Sequence, residues 1–129
     1  MHNFSVTLFI LIFLKSYFCH LFQNEVIVRG TAFCYKRDRN GPSNLKIILM
    51  DKEIFKDHYI GNETYYFDNN YRLEFTFNGR ATEISPLDPY IIYKCYCGGK
   101  SKKKTVKLYE HGTNKANSLY NIKIYCSDK

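Results

Sequence analysis

The chain contains no Trp, three Pro and seven Gly among 129 residues, a scarcity that excludes collagen-like and linker-like composition. It also lacks an apolar run long enough to cross a bilayer. Its longest, Phe4 to Leu14, is about half the ~20 residues a membrane helix needs. After residue 23 no stretch of a dozen residues repeats its apolar positions with a helical period, so any helix there is short. Spacings of the G-x-S-x-G, H-E-x-x-H and P-loop kinds are missing too. Acidic residues are the minority charge, 12 against 19 Lys and Arg, for a formal net charge of +7.

What is present begins with a targeting pattern. Residues 1–22 carry a Phe-, Leu- and Ile-rich core that ends at Lys15-Ser16, the anatomy of a signal peptide. Ser16, Cys19 and the stretch to Gln23 each offer a cleavage point. Residues 23–129 then form one domain of an exported, extracellular protein without a transmembrane anchor. Loss of the segment removes Cys19 and leaves Cys34, Cys95, Cys97 and Cys126. An even set in a small secreted chain reads as two disulfides. A Cys95–Cys97 bond would close a very tight loop, so each of the two more readily joins a distant partner. The Cys-x-Cys pair could also hold a soft metal. However, His58 and His111 stand at no zinc-site spacing, and no cofactor or metal is expected.

The body of the chain alternates apolar and polar residues with a period of two. Val26, Val28, Ala32 and Cys34 share one face, as do Leu45, Ile47 and Leu49, although Ile48 and Met50 make that strand apolar on both sides. Tyr65 and Phe67 lead into a turn at Asp68-Asn69-Asn70. Tyr71, Leu73, Phe75 and Phe77 point inward, with Asn78-Gly79 expected to end that strand. Ile91, Tyr93, Cys95 and Cys97 share a face before Gly98-Gly99, which opens a lysine-rich turn. Val106 with Leu108, and Ile122 with Ile124 and Cys126, complete the set. About seven short strands at this spacing predict an all-β, antiparallel, disulfide-linked β-sandwich. Tyr109 and Tyr125 point outward and are candidate contact residues.

Several of these residues fall into a recognisable order. Val28-Arg29-Gly30-Thr31-Ala32-Phe33-Cys34 is followed by Pro42 and the aliphatic strand Leu45 to Met50 with Asp51. Phe75 to Gly79 runs on to Glu83, then Asp88-Pro89-Tyr90 and a strand reaching Cys95. This resembles the nematode transthyretin-like family, whose pattern is G-x-x-x-C, then F-x-x-x-G-x-x-x-E, then [DE]-P-Y before a strand ending at cysteine. The resemblance covers about residues 25 to 97, and Cys126 is consistent with the family's C-terminal cysteine. The chain departs from the pattern at Asp68-Asn69-Asn70-Tyr71, which lacks the turn glycine. It departs again at Lys94, where the family usually has His, and at Leu108-Tyr109, where it has Ile-Pro. The resemblance implies a secreted transthyretin-like β-sandwich, in a family whose biochemical role is mostly undefined.

That fold also carries an enzyme, hydroxyisourate hydrolase. Enzymes similar to it use histidines with an arginine and end in Tyr-Arg-Gly-Ser, whereas this chain ends Ile124-Tyr125-Cys126-Ser127-Asp128-Lys129. Asp51/Glu53 and Asp57 offer an acidic pair, but charged residues at a strand end are usually solvated, and that is the reading taken for them. The expectation is therefore a non-enzymatic binding or effector protein, with the hydrolase as the alternative. The candidate anion-binding feature is Gly98-Gly99-Lys100-Ser101-Lys102-Lys103-Lys104, beside Lys94 and followed by Lys107, which would project together from a hairpin tip. Its ordinary counterpart is a solubilising turn that protects a sheet edge. Lys36-Arg37-Asp38-Arg39 is partly self-neutralised and reads as loop. Expected partners are a small apolar or lipid ligand, an anionic glycan or membrane surface, or a protein receptor. Secretion argues against nucleic acid. Asn62-Glu63-Thr64 is an N-glycosylation sequon expected in a loop near Gly61.

Overall fold

Period-two alternation buries one face of most strands, and two such faces closed on each other give the observed architecture. The computed structural model describes residues 2–21, 23–35, 43–67, 72–82, 87–108, 112–114 and 119–127. A helix α1 (His2–Leu21) precedes β1 (Gln23–Phe33), β2 (Asn44–Asp51), β3 (His58–Tyr66) and β4 (Arg72–Thr82). There follow β5 (Pro89–Cys97), β6 (Lys100–Lys107), the short β7 (Gly112–Asn114) and β8 (Leu119–Tyr125). They form two four-stranded sheets, ordered β4-β1-β8-β7 and β3-β2-β5-β6. The sandwich is therefore all-β as expected, with one difference in detail: β1 and β8 run parallel, so the first sheet is mixed.

The core comes from both inner faces. Val26, Val28 and Ala32 of β1, Leu45, Ile47 and Leu49 of β2, Ile91 of β5 and Ile124 of β8 are all buried. Two disulfides tie the sheets together at one pole. Cys34, just past β1, bonds Cys97 of β5, and Cys95 of β5 bonds Cys126, just past β8, with Cα separations of 5.8 and 5.5 Å. Both sulfurs of the Cys-x-Cys pair are thereby spent, leaving no thiolate to bind a metal. The opposite pole is closed by polar contacts. Asp51 is 2% exposed, and its Oδ1 accepts the Asp88 N–H at 2.8 Å while the Lys52 N–H donates to Asp88 O at 3.0 Å.

Three local expectations change. Strand β4 runs through Asn78-Gly79 to Thr82, pairing with β1 along its whole length. Gly79 marks a close approach rather than a turn: a Cβ there would sit 2.5 Å from Leu49 Cδ2 and 2.9 Å from Ile60 Cγ2. Asp51 is buried and hydrogen-bonded rather than solvated. The lysine-rich segment is strand rather than turn, since Gly98 and Gly99 (φ 61° and 74°) complete the reversal by themselves.

In α1 every side chain from Ser5 to Leu14 is exposed, so the helix's apolar run lies outside the core. No helix among the described residues is long and apolar enough to cross a membrane. The Asp68-Asn69-Asn70 turn with Tyr71, Glu83, His111, Tyr109 and the Lys36-Arg37-Asp38-Arg39 cluster lie outside the described residues.

Candidate anion-binding face

Strand register decides which lysines stand together. Alternation puts Lys100, Lys102 and Lys104 on the face of β6 opposite Cys97, Cys95 and Tyr93, and Lys103 and Lys107 on the other face, opposite Lys94 and Tyr90. The five candidates are all exposed, but they do not form one tip. Lys102 reaches across to the other sheet, where its Nζ donates to Tyr125 O at 2.9 Å.

Lys103 finds different company. On the outer face of the β3-β2-β5-β6 sheet Lys46 is paired with Lys94 and Lys94 with Lys103, so three lysines stand side by side on three adjacent strands. Strand spacing sets their backbones about 4.8 Å apart. Thr64 of β3 extends the row at its Lys46 end. The neighbouring rows are Tyr66, Asn44, Tyr96 and Ser101 on the disulfide side, and Asn62, Ile48, Ile92 and Thr105 on the other. No outward position of these four strands, among the described residues, carries Asp or Glu.

Like charges directly opposite each other weaken a sheet. A single lysine on an edge protects it from pairing, but a row crossing an interior strand does nothing for an edge. The other sheet shows the ordinary arrangement. Its outer face mixes Arg29, Glu74 and Lys123, with Arg72 paired to Glu74 at 2.8 Å and Tyr125 stacked on Phe33 at 5.1 Å. The outward Tyr125 therefore has an intramolecular partner. Lys46 was missed as a candidate because it lies some fifty residues from the lysine-rich segment.

At the lower end of the lysine face, Lys52, Asp57, Asp88, Tyr90, Ile92, Thr105 and Lys107 line a cleft of about 510 Å³ that holds both charge signs. Tyr90 Oη donates to Asp57 Oδ2 at 2.6 Å. That bond holds the Asp57 carboxyl below its usual range and pushes the Tyr90 phenol up to about 12. The bond thus keeps Asp57 as the carboxylate and Tyr90 as the neutral phenol. Asn62, the sequon residue, is exposed on edge strand β3 rather than in a loop, with its amide hydrogen-bonded to Tyr59 Oη.

No family model matches this chain, and no curated protein does. Among solved structures it is similar to an alternative pilotin from the type II secretion system of Vibrio cholerae. That likeness has 9% identity and a TM-score of 0.45 over 82% of this chain and 100% of the other, too distant to carry a functional argument.

Proposed function

We propose that this is a secreted, non-enzymatic, transthyretin-like binding protein that docks onto anionic surfaces in the extracellular space through the outer face of its β3-β2-β5-β6 sheet. The observation that carries the reading is the Lys46–Lys94–Lys103 row on a face whose outward strand positions, among the described residues, carry no Asp or Glu. Such a row costs stability in isolation and is repaid when anionic groups lie across it. Lysines act as point charges, so the face suits any dense array of sulfate, carboxylate or phosphate groups rather than one shaped ligand.

Other features support parts of this reading. The two disulfides suit an oxidising compartment. Residues of the resemblance have structural work: a Cβ on Gly30 would sit 2.6 Å from Ile122 O, and Asp88 closes a pole through Asp51. The inter-sheet space is filled by side chains such as Leu45, Ile47, Leu49 and Ile91, which disfavours an interior apolar ligand.

The test compares retention on heparin and on anionic vesicles for the parent protein and for Lys46→Gln, Lys94→Gln, Lys103→Gln combined. The reading expects salt-sensitive binding to at least one of the two, weakened at least tenfold by the triple substitution. Unchanged retention on both would sink it.

A further inference from the structure

Among the described residues, the β2–β3 loop carries the most exposed large apolar side chains of the domain. Ile54 is 94% exposed and Phe55 100%. Hiding such side chains from water is favourable, so a fully exposed adjacent pair calls for an occupant. The sequence around them is Lys52-Glu53-Ile54-Phe55-Lys56-Asp57, an apolar pair between two exposed lysines.

The loop is braced. The Glu53 N–H donates to Asp57 Oδ1 at 3.1 Å, Asp57 Oδ2 accepts from Tyr90 Oη, and Glu53 Oε1 meets His58 Nδ1 at 3.0 Å. The donors to Asp57 are neutral and leave its charge in place, so Lys52 and Lys56 are balanced within the segment by Glu53 and Asp57, and Asp88 stands beside the apolar pair. The loop also borders the lysine face, since Lys52 shares the lower cleft with Ile92, Thr105 and Lys107.

We infer that the anionic surface is a lipid bilayer, and that Ile54 and Phe55 enter its interfacial zone while Lys52, Lys56 and the lysine face engage anionic headgroups. This rests on the anionic-surface reading and deepens it. A soluble polyanion would satisfy the lysines but leave the apolar pair in water. Stable peripheral attachment needs an apolar and an electrostatic signal together: Ile54 and Phe55 supply the first, and the Lys46–Lys94–Lys103 face supplies the second.

The absence of Trp provides the experiment. Phe55→Trp places a single tryptophan, excited selectively over the twelve tyrosines, at the tip of the protein recovered from eukaryotic culture medium, with Lys123→Trp on the opposite outer face as control. The probes are phosphatidylcholine vesicles with and without phosphatidylserine, vesicles with bromine-labelled acyl chains, and heparin. The expected result is a blue shift and bromolipid quenching at position 55 on phosphatidylserine vesicles, with neither on heparin nor in the control. Ile54→Ser with Phe55→Ser in the parent chain should lower vesicle partition at least tenfold and leave heparin retention unchanged.

If the position-55 reporter stays in water while the Lys46, Lys94 and Lys103 substitutions still weaken vesicle binding, the lipid inference fails and the anionic-surface reading stands. If those substitutions change neither vesicle nor heparin binding, the underlying reading fails as well.

Discussion

Lys94 sits on an interior strand with Lys46 on one side and Lys103 on the other, an arrangement that protein stability alone does not favour. Lys94→Glu converts two like-charge neighbours into two opposite-charge pairs. It should raise folding stability by about 0.5–1 kcal/mol at low salt, read as a higher denaturation midpoint, while anionic-surface binding falls. Gain of stability with loss of binding distinguishes a functional residue from a structural one. The glycines behave in the opposite sense. Gly30→Ala drives a methyl against the backbone oxygen of Ile122 and the Phe75 ring, both 2.6 Å away, and should cost about 3 kcal/mol. Gly79→Ala meets the ends of Leu49 and Ile60 side chains, which yield more readily, and should cost about half as much.

The Tyr90–Asp57 bond has a pH signature. The folded Asp57 pKa lies below its ordinary 3.8, so the bond's contribution is present above that pH and is lost as pH falls through the folded value. The folded Tyr90 pKa lies near 12 against an ordinary 10, so the contribution is complete below pH 10 and disappears as pH rises through 12. Tyr90→Phe should therefore be less stable than the parent on the plateau between, with the gap closing at both ends in a pH series of urea melts. The residues of this bond could be named from the sequence, but their pairing could not, since they lie 33 positions apart.

At the scale of elements, each disulfide joins one sheet to the other across loops of 63 and 31 residues. Removing either, as Cys34→Ser with Cys97→Ser or as Cys95→Ser with Cys126→Ser, should cost about 4 kcal/mol in the chain-entropy account, measured by denaturant unfolding. The strands with one buried face were legible because alternation is a direct imprint of burial, as at Val26-Val28 or Ile122-Ile124. Strand β6 was not. Lys100 to Thr105 are exposed on both faces, so the segment has no apolar alternation and looks like a turn. Pairing with β5 alone makes it a strand. Strand β4 was cut short at Asn78-Gly79 because glycine's role in letting two sheets approach cannot be told from its role in turns without the partner sheet.

For the whole molecule, the two outer faces differ in kind: one mixes signs and stacks aromatics, the other lines up lysines and ends in an exposed apolar tip. Composition announced a basic chain, and the lysine-rich segment supplied Lys103 and Lys107 to that face. The row itself depends on long-range register between β2, β5 and β6, which no local pattern encodes. The most direct measurement is a backbone amide NMR titration of the protein with small anionic bicelles. The account predicts shift changes concentrated around Lys46, Lys94 and Lys103 and in the Lys52–Asp57 loop, with β1, β4 and β8 little affected. Changes centred on Arg29, Glu74 and Lys123, or spread evenly over both faces, would contradict it.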